Sequence, residues 1–208
     1  TVSGVTFLNH ESQQFKNYST EDTQLQAMIT EITRLTTGEL YFATENGLYF
    51  FDENNDAVVP FESSLGKKIT SDVGSIGDTK DFIYVSSSDC LTRITKSSKA
   101  LFNMCDLPSL EVLKGRYILK VLVVGDTIWL ATNRGLFHYE ISSDKLREFY
   151  HEPNNKDSLA SNYVQDLALD GNGSLWIGST VGLDYYNSDK ESFEHYTQQD
   201  NSAEGLSA

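Results

Sequence analysis

The chain has 208 residues, 39% of them hydrophobic and 12% aromatic, which is enough apolar material for a packed core and excludes global disorder. With 30 acidic against 16 basic residues its formal charge is −14, a field that repels phosphate backbones and argues against a nucleic-acid partner. The longest apolar run, Val121 to Val124, is strand length and far short of the roughly 20 residues of a membrane helix.

Taken in order, the chain predicts short β-strands throughout. Helical periodicity is almost absent; its one candidate, Thr20 to Ile29, reads as a loop entering a strand. Gly4 to His10 aligns with Gly182 to Ser188, and Phe15 to Tyr18 with Phe193 to Tyr196, at one common offset without a gap. Residues 1–18 therefore read as the second half of a repeating unit, so the chain reads as cut from a longer array. Whole units follow over 24–64, 68–107, 114–152 and 159–200, the one at 68–107 degenerate, and 201–208 reads as the lead-in to another. Within each unit the pattern is strand, tight turn, aromatic strand, glycine-led strand, polar turn and outer strand. Ile29 to Leu35 typifies the first strand, and Asp170-Gly171-Asn172-Gly173 the turn after it, where Asp-Gly and Asn-Gly favour positive φ. Tyr41, Tyr84, Trp129 and Trp176 recur on the second strand. Gly47, Gly135 and Gly182 begin the third, and Cys90 takes that slot in the second unit. Four short antiparallel strands in a repeat of this length predict an all-β chain of β-propeller blades, about four and a half blades of a larger propeller.

Two cysteines do not make a disulfide scaffold. A hairpin centred near Ser97 and Ser98 nevertheless places Cys90 opposite Cys105. They either bridge, in an oxidising compartment, or are two separate small buried side chains.

The fourth unit, from Ser158-Leu159-Ala160-Ser161 through Leu175-Trp176-Ile177-Gly178 to Gly182-Leu183-Asp184-Tyr185-Tyr186-Asn187, closely resembles the two-component-regulator propeller repeat. Its lead-in, His151-Glu152-Pro153-Asn154-Asn155, resembles the inter-blade loop of that family. The resemblance covers essentially the whole chain and is weakest in the second unit, where Ser86, Ser88 and Cys90 depart from the pattern. It implies the periplasmic sensor region of a hybrid two-component histidine kinase from polysaccharide-utilising gut bacteria. Such receptors carry seven-bladed propellers, and their kinase and DNA-binding motifs are absent from this sequence. The implied partners are an oligosaccharide, the remaining blades or a second copy of the chain, and a membrane reached only through a span elsewhere in the parent. A propeller scaffold for protein–protein contact or dimerisation is the alternative, and a carbohydrate-active propeller enzyme a third reading.

The residues themselves point to a frame with variable loops. The strand-interior slot of Tyr41, Tyr84, Trp129 and Trp176 argues for blade core over sugar-stacking platforms, and Phe15, Phe149 and Phe193 on outer strands read as core too. His10, His138, His151 and His195 lack ligand spacing, so no metal and no cofactor is expected. Asp52 to Asp56 resembles a calcium loop but has Ala57 and Ser63 where that loop needs Gly and Glu, and it reads as a hairpin turn. No catalytic constellation is present. Turns between second and third strands and the inter-blade loops gather at one rim. There Asn46, Asn133, Arg134, His151 and Tyr163 offer the planar donors and aromatic face that sugar recognition needs.

Overall fold

Alternating apolar residues bounded by Gly, Asn and Asp turns fold as the period-2 pattern requires. The computed structural model describes residues 5–9, 12–18, 27–88 and 90–197. The readings made for Gly4, His10, most of Thr20 to Ile29 and residues 201–208 lie outside them.

The chain forms two compact units, divided after Met104. The first opens with a two-stranded sheet of β1 (Val5–Asn9) and β2 (Gln14–Tyr18). Its first blade comprises β3 (Ile29–Arg34), β4 (Leu40–Thr44), β5 (Gly47–Asp52) and β6 (Ala57–Pro60). The second comprises β7 (Val73–Asp78), β8 (Phe82–Ser87), β9 (Cys90–Thr95) and β10 (Leu101–Asn103). The other unit holds a third blade of β11 (Ile118–Val124), β12 (Thr127–Thr132), β13 (Gly135–Glu140) and β14 (Lys145–Phe149). Its fourth blade is β15 (Val164–Leu169), β16 (Leu175–Ser179), β17 (Gly182–Asn187) and β18 (Ser192–Thr197). Every blade is a four-stranded antiparallel meander in chain order, the β-propeller blade of the sequence reading.

The blades repeat in chemistry as well as topology. A bulge interrupts the pairing of the first strand in each, as between Ile29 and Glu31 and between Val164 and Asp166. A hydroxyl ends each second strand: Thr44 Oγ1 donates to the Gly47 carbonyl and Thr132 Oγ1 to that of Gly135, both at 2.8 Å. The residue after the turn has positive φ in all four blades, at Gly47 (124°), Cys90 (149°), Gly135 (122°) and Gly182 (145°).

In the first unit Tyr41, Ala43, Leu48 and Phe61 of the first blade pack on Val73, Ile76, Ile83, Val85 and Ile94 of the second. Polar clasps join the same two blades. Glu31 accepts the Ile76 N–H at 2.8 Å. Asp78 Oδ2 accepts from the Thr36 N–H (2.9 Å), the Thr36 hydroxyl (2.6 Å) and the Lys96 ammonium (2.6 Å). The β1–β2 sheet lies on the first blade through Tyr18, which meets Phe51 edge-on and donates to Asp56 at 2.8 Å.

Two expectations, for Phe15 and Trp176, need correction. Residues 104–113 form two 3-10 segments, Met104–Asp106 and Pro108–Leu113. Pro108 starts the second without an N–H to place, and Leu110 and Leu113 are buried beneath it. Phe15 is 70% exposed, because Tyr18 occupies the face of β2 that meets the first blade and Phe15 points the other way. Trp176 is only partly buried. It stands with Tyr185 and Tyr196 on the face of the fourth blade opposite its buried Leu175 and Ile177, whereas Tyr41, Tyr84 and Trp129 are buried.

The hairpin register around Ser97 and Ser98 is as read, with Ile94 opposite Leu101 and Thr92 opposite Asn103. The ladder stops there, and Cys105 sits in the 3-10 turn that follows. Cys90 and Cys105 are both disulfide-bonded.

Candidate functional site

Three side chains in register cross the third blade: Trp129 pairs with His138, and His138 with Arg147. Alternation puts all three on the face turned to the fourth blade. There Leu175, Tyr186 and Phe193 form the opposing row. Near the β12–β14 centre the two rows pack closely, with Trp129 edge-on to Tyr186 at 5.4 Å. Toward the turn ends they part, leaving a cleft of about 480 Å³. Its mouth is framed by the β15–β16 turn, with Asn172 and Ser174, and by the β17–β18 turn, with Asn187 and Asp189.

The chemistry of this cleft is mixed. His138 stacks on Trp129 at 4.2 Å, and its Nδ1 is buried without a hydrogen-bond partner among the described residues. Burial first, and the Arg147 charge second, hold the His138 pKa below its ordinary value, so the ring is neutral at pH 7. Arg147 lies over Phe149 at 5.3 Å and reaches Glu191 of the fourth blade at 3.0 Å. An aromatic wall beside a guanidinium, an imidazole and two carboxamides can stack an apolar ring face while hydrogen-bonding its edges.

The matching row of the first blade is Tyr41, Phe50 and Val59, and that junction is closed by packing. The third blade has His and Arg in this row where the first has Phe and Val. Sequence reasoning placed Trp129 in the core, where it is buried, and missed the cleft beside it by testing His138 only as a metal ligand. Comparing this row across units would have found it.

At the opposite ends of the strands, the structure assembles part of the predicted rim. Asn162 binds two segments: its carbonyl accepts the Gly135 N–H and its side chain the His151 N–H, both at 2.7 Å. This brings Asn133, Arg134 and His151 together, with Tyr163 next in the chain. Two of these are committed to the backbone. Asn133 Oδ1 accepts from the Tyr117 N–H at 3.1 Å, and His151 Nδ1 donates to the Leu159 carbonyl at 2.7 Å. Arg134 and Tyr163 remain exposed, while Asn46 occupies the corresponding turn of the first unit.

The loop behind that rim is held by a histidine. His195 on β18 donates through Nδ1 to the fully buried Asp184 carboxylate at 2.7 Å and through Nε2 to the Lys156 carbonyl at 2.8 Å. Asp184 also accepts the Ala160 N–H at 3.0 Å. Two acceptors on one imidazole require both nitrogens protonated. Burial lowers the His195 pKa, but the hydrogen bonds to Asp184 and to Lys156 outweigh it, and the net shift is upward from 6.5. The stabilisation is therefore complete below the ordinary histidine range and is lost as pH rises through the raised folded value. Melting curves from about pH 5 to about pH 9 should show His195→Gln destabilised most at the acid end, the gap closing toward the alkaline end. A gap that widens with pH would contradict the imidazolium clasp.

The profile of the family described as two component regulator propeller matches residues 158–180. No curated protein matches the sequence. Among solved structures the chain is similar to the extracellular domain assigned to the hybrid two component system BT3049 of B. thetaiotaomicron, with a TM-score of 0.74 at 16% identity over 93% of this chain and 27% of that one. The extracellular domain assigned to BT4673 of the same organism matches at TM-score 0.67 and 17% identity, over 86% of this chain and 23% of that one. PorZ, a surface component of the type-IX secretion system of Porphyromonas gingivalis, matches at TM-score 0.62 and 18% identity, over 86% and 28%. The chain thus spans about a quarter of the length of these structures. Residues 158–180, which open the fourth blade of this β-propeller chain, thus match the two component regulator propeller family in sequence.

Proposed function

We propose that the chain is an extracytoplasmic ligand-sensing segment of a two-component sensor and that its ligand is an oligosaccharide. The observation that carries the reading is the cleft between the third and fourth blades, where an aromatic wall and planar donors replace the apolar row that closes the first junction. The family match to residues 158–180 supports the sensor class, and a disulfide in a small-cysteine chain suits an oxidising compartment. No helix among the described residues is long and apolar enough to cross a membrane, so signalling would pass through other parts of the parent chain. Signal transfer would be a shift in the population of receptor arrangements, with no chemistry in the blades.

The rim residues Arg134 and Tyr163 are a second contact region on the same reading. An oligosaccharide array probed with the chain tests it. Retention of a defined glycan subset, weakened in Arg134→Ala or Arg147→Gln at unchanged melting temperature, is the expected result; retention of no glycan would overturn the reading. The scaffold alternative draws on the fourth-blade face of Trp176, Tyr185 and Tyr196, the last 40% exposed, which offers apolar surface to a further blade or a second copy.

A further inference from the structure

The cleft between the third and fourth blades holds one feature that a site for a neutral sugar does not need. Arg147, on the outer strand of the third blade, is bridged by Glu191 from the β17–β18 turn of the fourth, at 3.0 Å. Both side chains are substantially exposed, 42% and 61%, and an ion pair so solvated contributes at most about 1 kcal/mol. The chain has thus placed one of its own carboxylates on the guanidinium at the cleft mouth, held weakly enough to exchange. We propose that this cleft takes a carboxylate-bearing sugar, the uronic-acid unit of an oligosaccharide, whose carboxylate displaces Glu191 from Arg147.

Cleft size, aromatic wall and guanidinium suit this occupant, and Asp189 is the one carboxylate among the cleft-lining residues. A volume of about 480 Å³ suits a disaccharide-sized ligand. The planar guanidinium fork of Arg147, which meets Glu191 through Nη2 at 3.0 Å, matches a carboxylate in two parallel hydrogen bonds. Trp129 and Tyr186 provide the apolar wall for a pyranose face. The second blade supplies the contrast. Arg93 stands at the same row position as His138, but it is stacked between Phe82 at 4.7 Å and Phe102 at 5.1 Å and is not presented to a ligand.

The inference rests on the oligosaccharide reading, and its test separates the two. Calorimetric titration of the 208-residue chain with digalacturonate and with its dimethyl ester compares the same sugar with and without charge. The acid should bind at least about tenfold more tightly than the ester, the size of one charge-assisted hydrogen bond. Arg147→Gln should bring the acid down to the affinity of the ester, and Glu191→Gln should tighten the acid several-fold by removing its competitor. Absent binding of the acid, equal binding of acid and ester, or an acid affinity untouched by Arg147→Gln or reduced by Glu191→Gln overturns the proposal. If neutral glycans on the array still bind, the oligosaccharide reading survives that failure. Because Glu191 lies on an exposed turn, its variant gives the answer even if the Arg147 variant does not fold.

Discussion

Asp78→Ala is expected to destabilise the first unit by about 3–5 kcal/mol, a large share of what a domain of this size possesses. Asp78 and Lys96 are 10% and 11% exposed and meet at 2.6 Å, so they form a buried ion pair at the seam between the first two blades. Removing the carboxylate leaves the ammonium without its counter-charge in a site that water barely reaches. It also removes the acceptor shared by the Thr36 N–H and hydroxyl, although Thr36 is exposed and both can turn to water. The double variant Asp78→Leu with Lys96→Met should recover most of the loss, because the cost comes from the unpaired charge and not from the absence of the bond itself. Urea titrations of the parent, the single variants and the double variant close the cycle. A loss below about 1 kcal/mol for Asp78→Ala would mean that water reaches the seam and screens the pair as it does a surface bridge.

This clasp marks the limit of what the sequence discloses. The aromatic slot of Tyr41, Tyr84 and Trp129, the glycine slot of Gly47, Gly135 and Gly182, and the turn residues after each strand are local signals. They recur at a nearly constant period, so the blades can be read directly from them. The Asp78–Lys96–Thr36 clasp and the Trp129–His138–Arg147 row join residues on different strands or blades. Their meaning depends on register, which the chain states only indirectly. His138 and Arg147 look like ordinary polar positions on half-buried strands, and only comparison with Phe50 and Val59 in the same row reveals a junction left open. The rim was legible as a place but not as a set of free donors, because the use of Asn133 and His151 by nearby backbone cannot be seen before the loop is folded. Trp176 fails as a core prediction for a related reason. Its slot is buried in the first and third blades by the blade that follows, and what lies against a strand face is not written on that strand.

Gly47→Ala should cost roughly 3 kcal/mol or more, combining backbone strain with overpacking against rigid main chain. A Cβ at Gly47 would lie 1.9 Å from the Ile69 carbonyl oxygen and 2.9 Å from its carbon, with φ at 124°. The same carbonyl accepts the Leu48 N–H, so it cannot retreat without breaking the bond that joins this turn to the inter-blade loop. Gly38→Ala is the control. Its φ is also positive, at 94°, but nothing lies within 4 Å of the added atom, and about 1 kcal/mol of backbone strain is expected. The second blade carries the complementary test, since Cys90 holds a φ of 149° where the other blades have glycine. Under reducing conditions neither Cys90→Gly nor Cys90→Ala can form a disulfide, so their difference isolates the backbone. Cys90→Gly should be the more stable by about 1 kcal/mol or more, since only glycine adopts that conformation without strain. Equal stabilities would show that the slot selects glycine in the other blades by the approach of the neighbouring chain alone. A clear gap would show that the backbone at this slot is strained for any residue with a Cβ, Cys90 included.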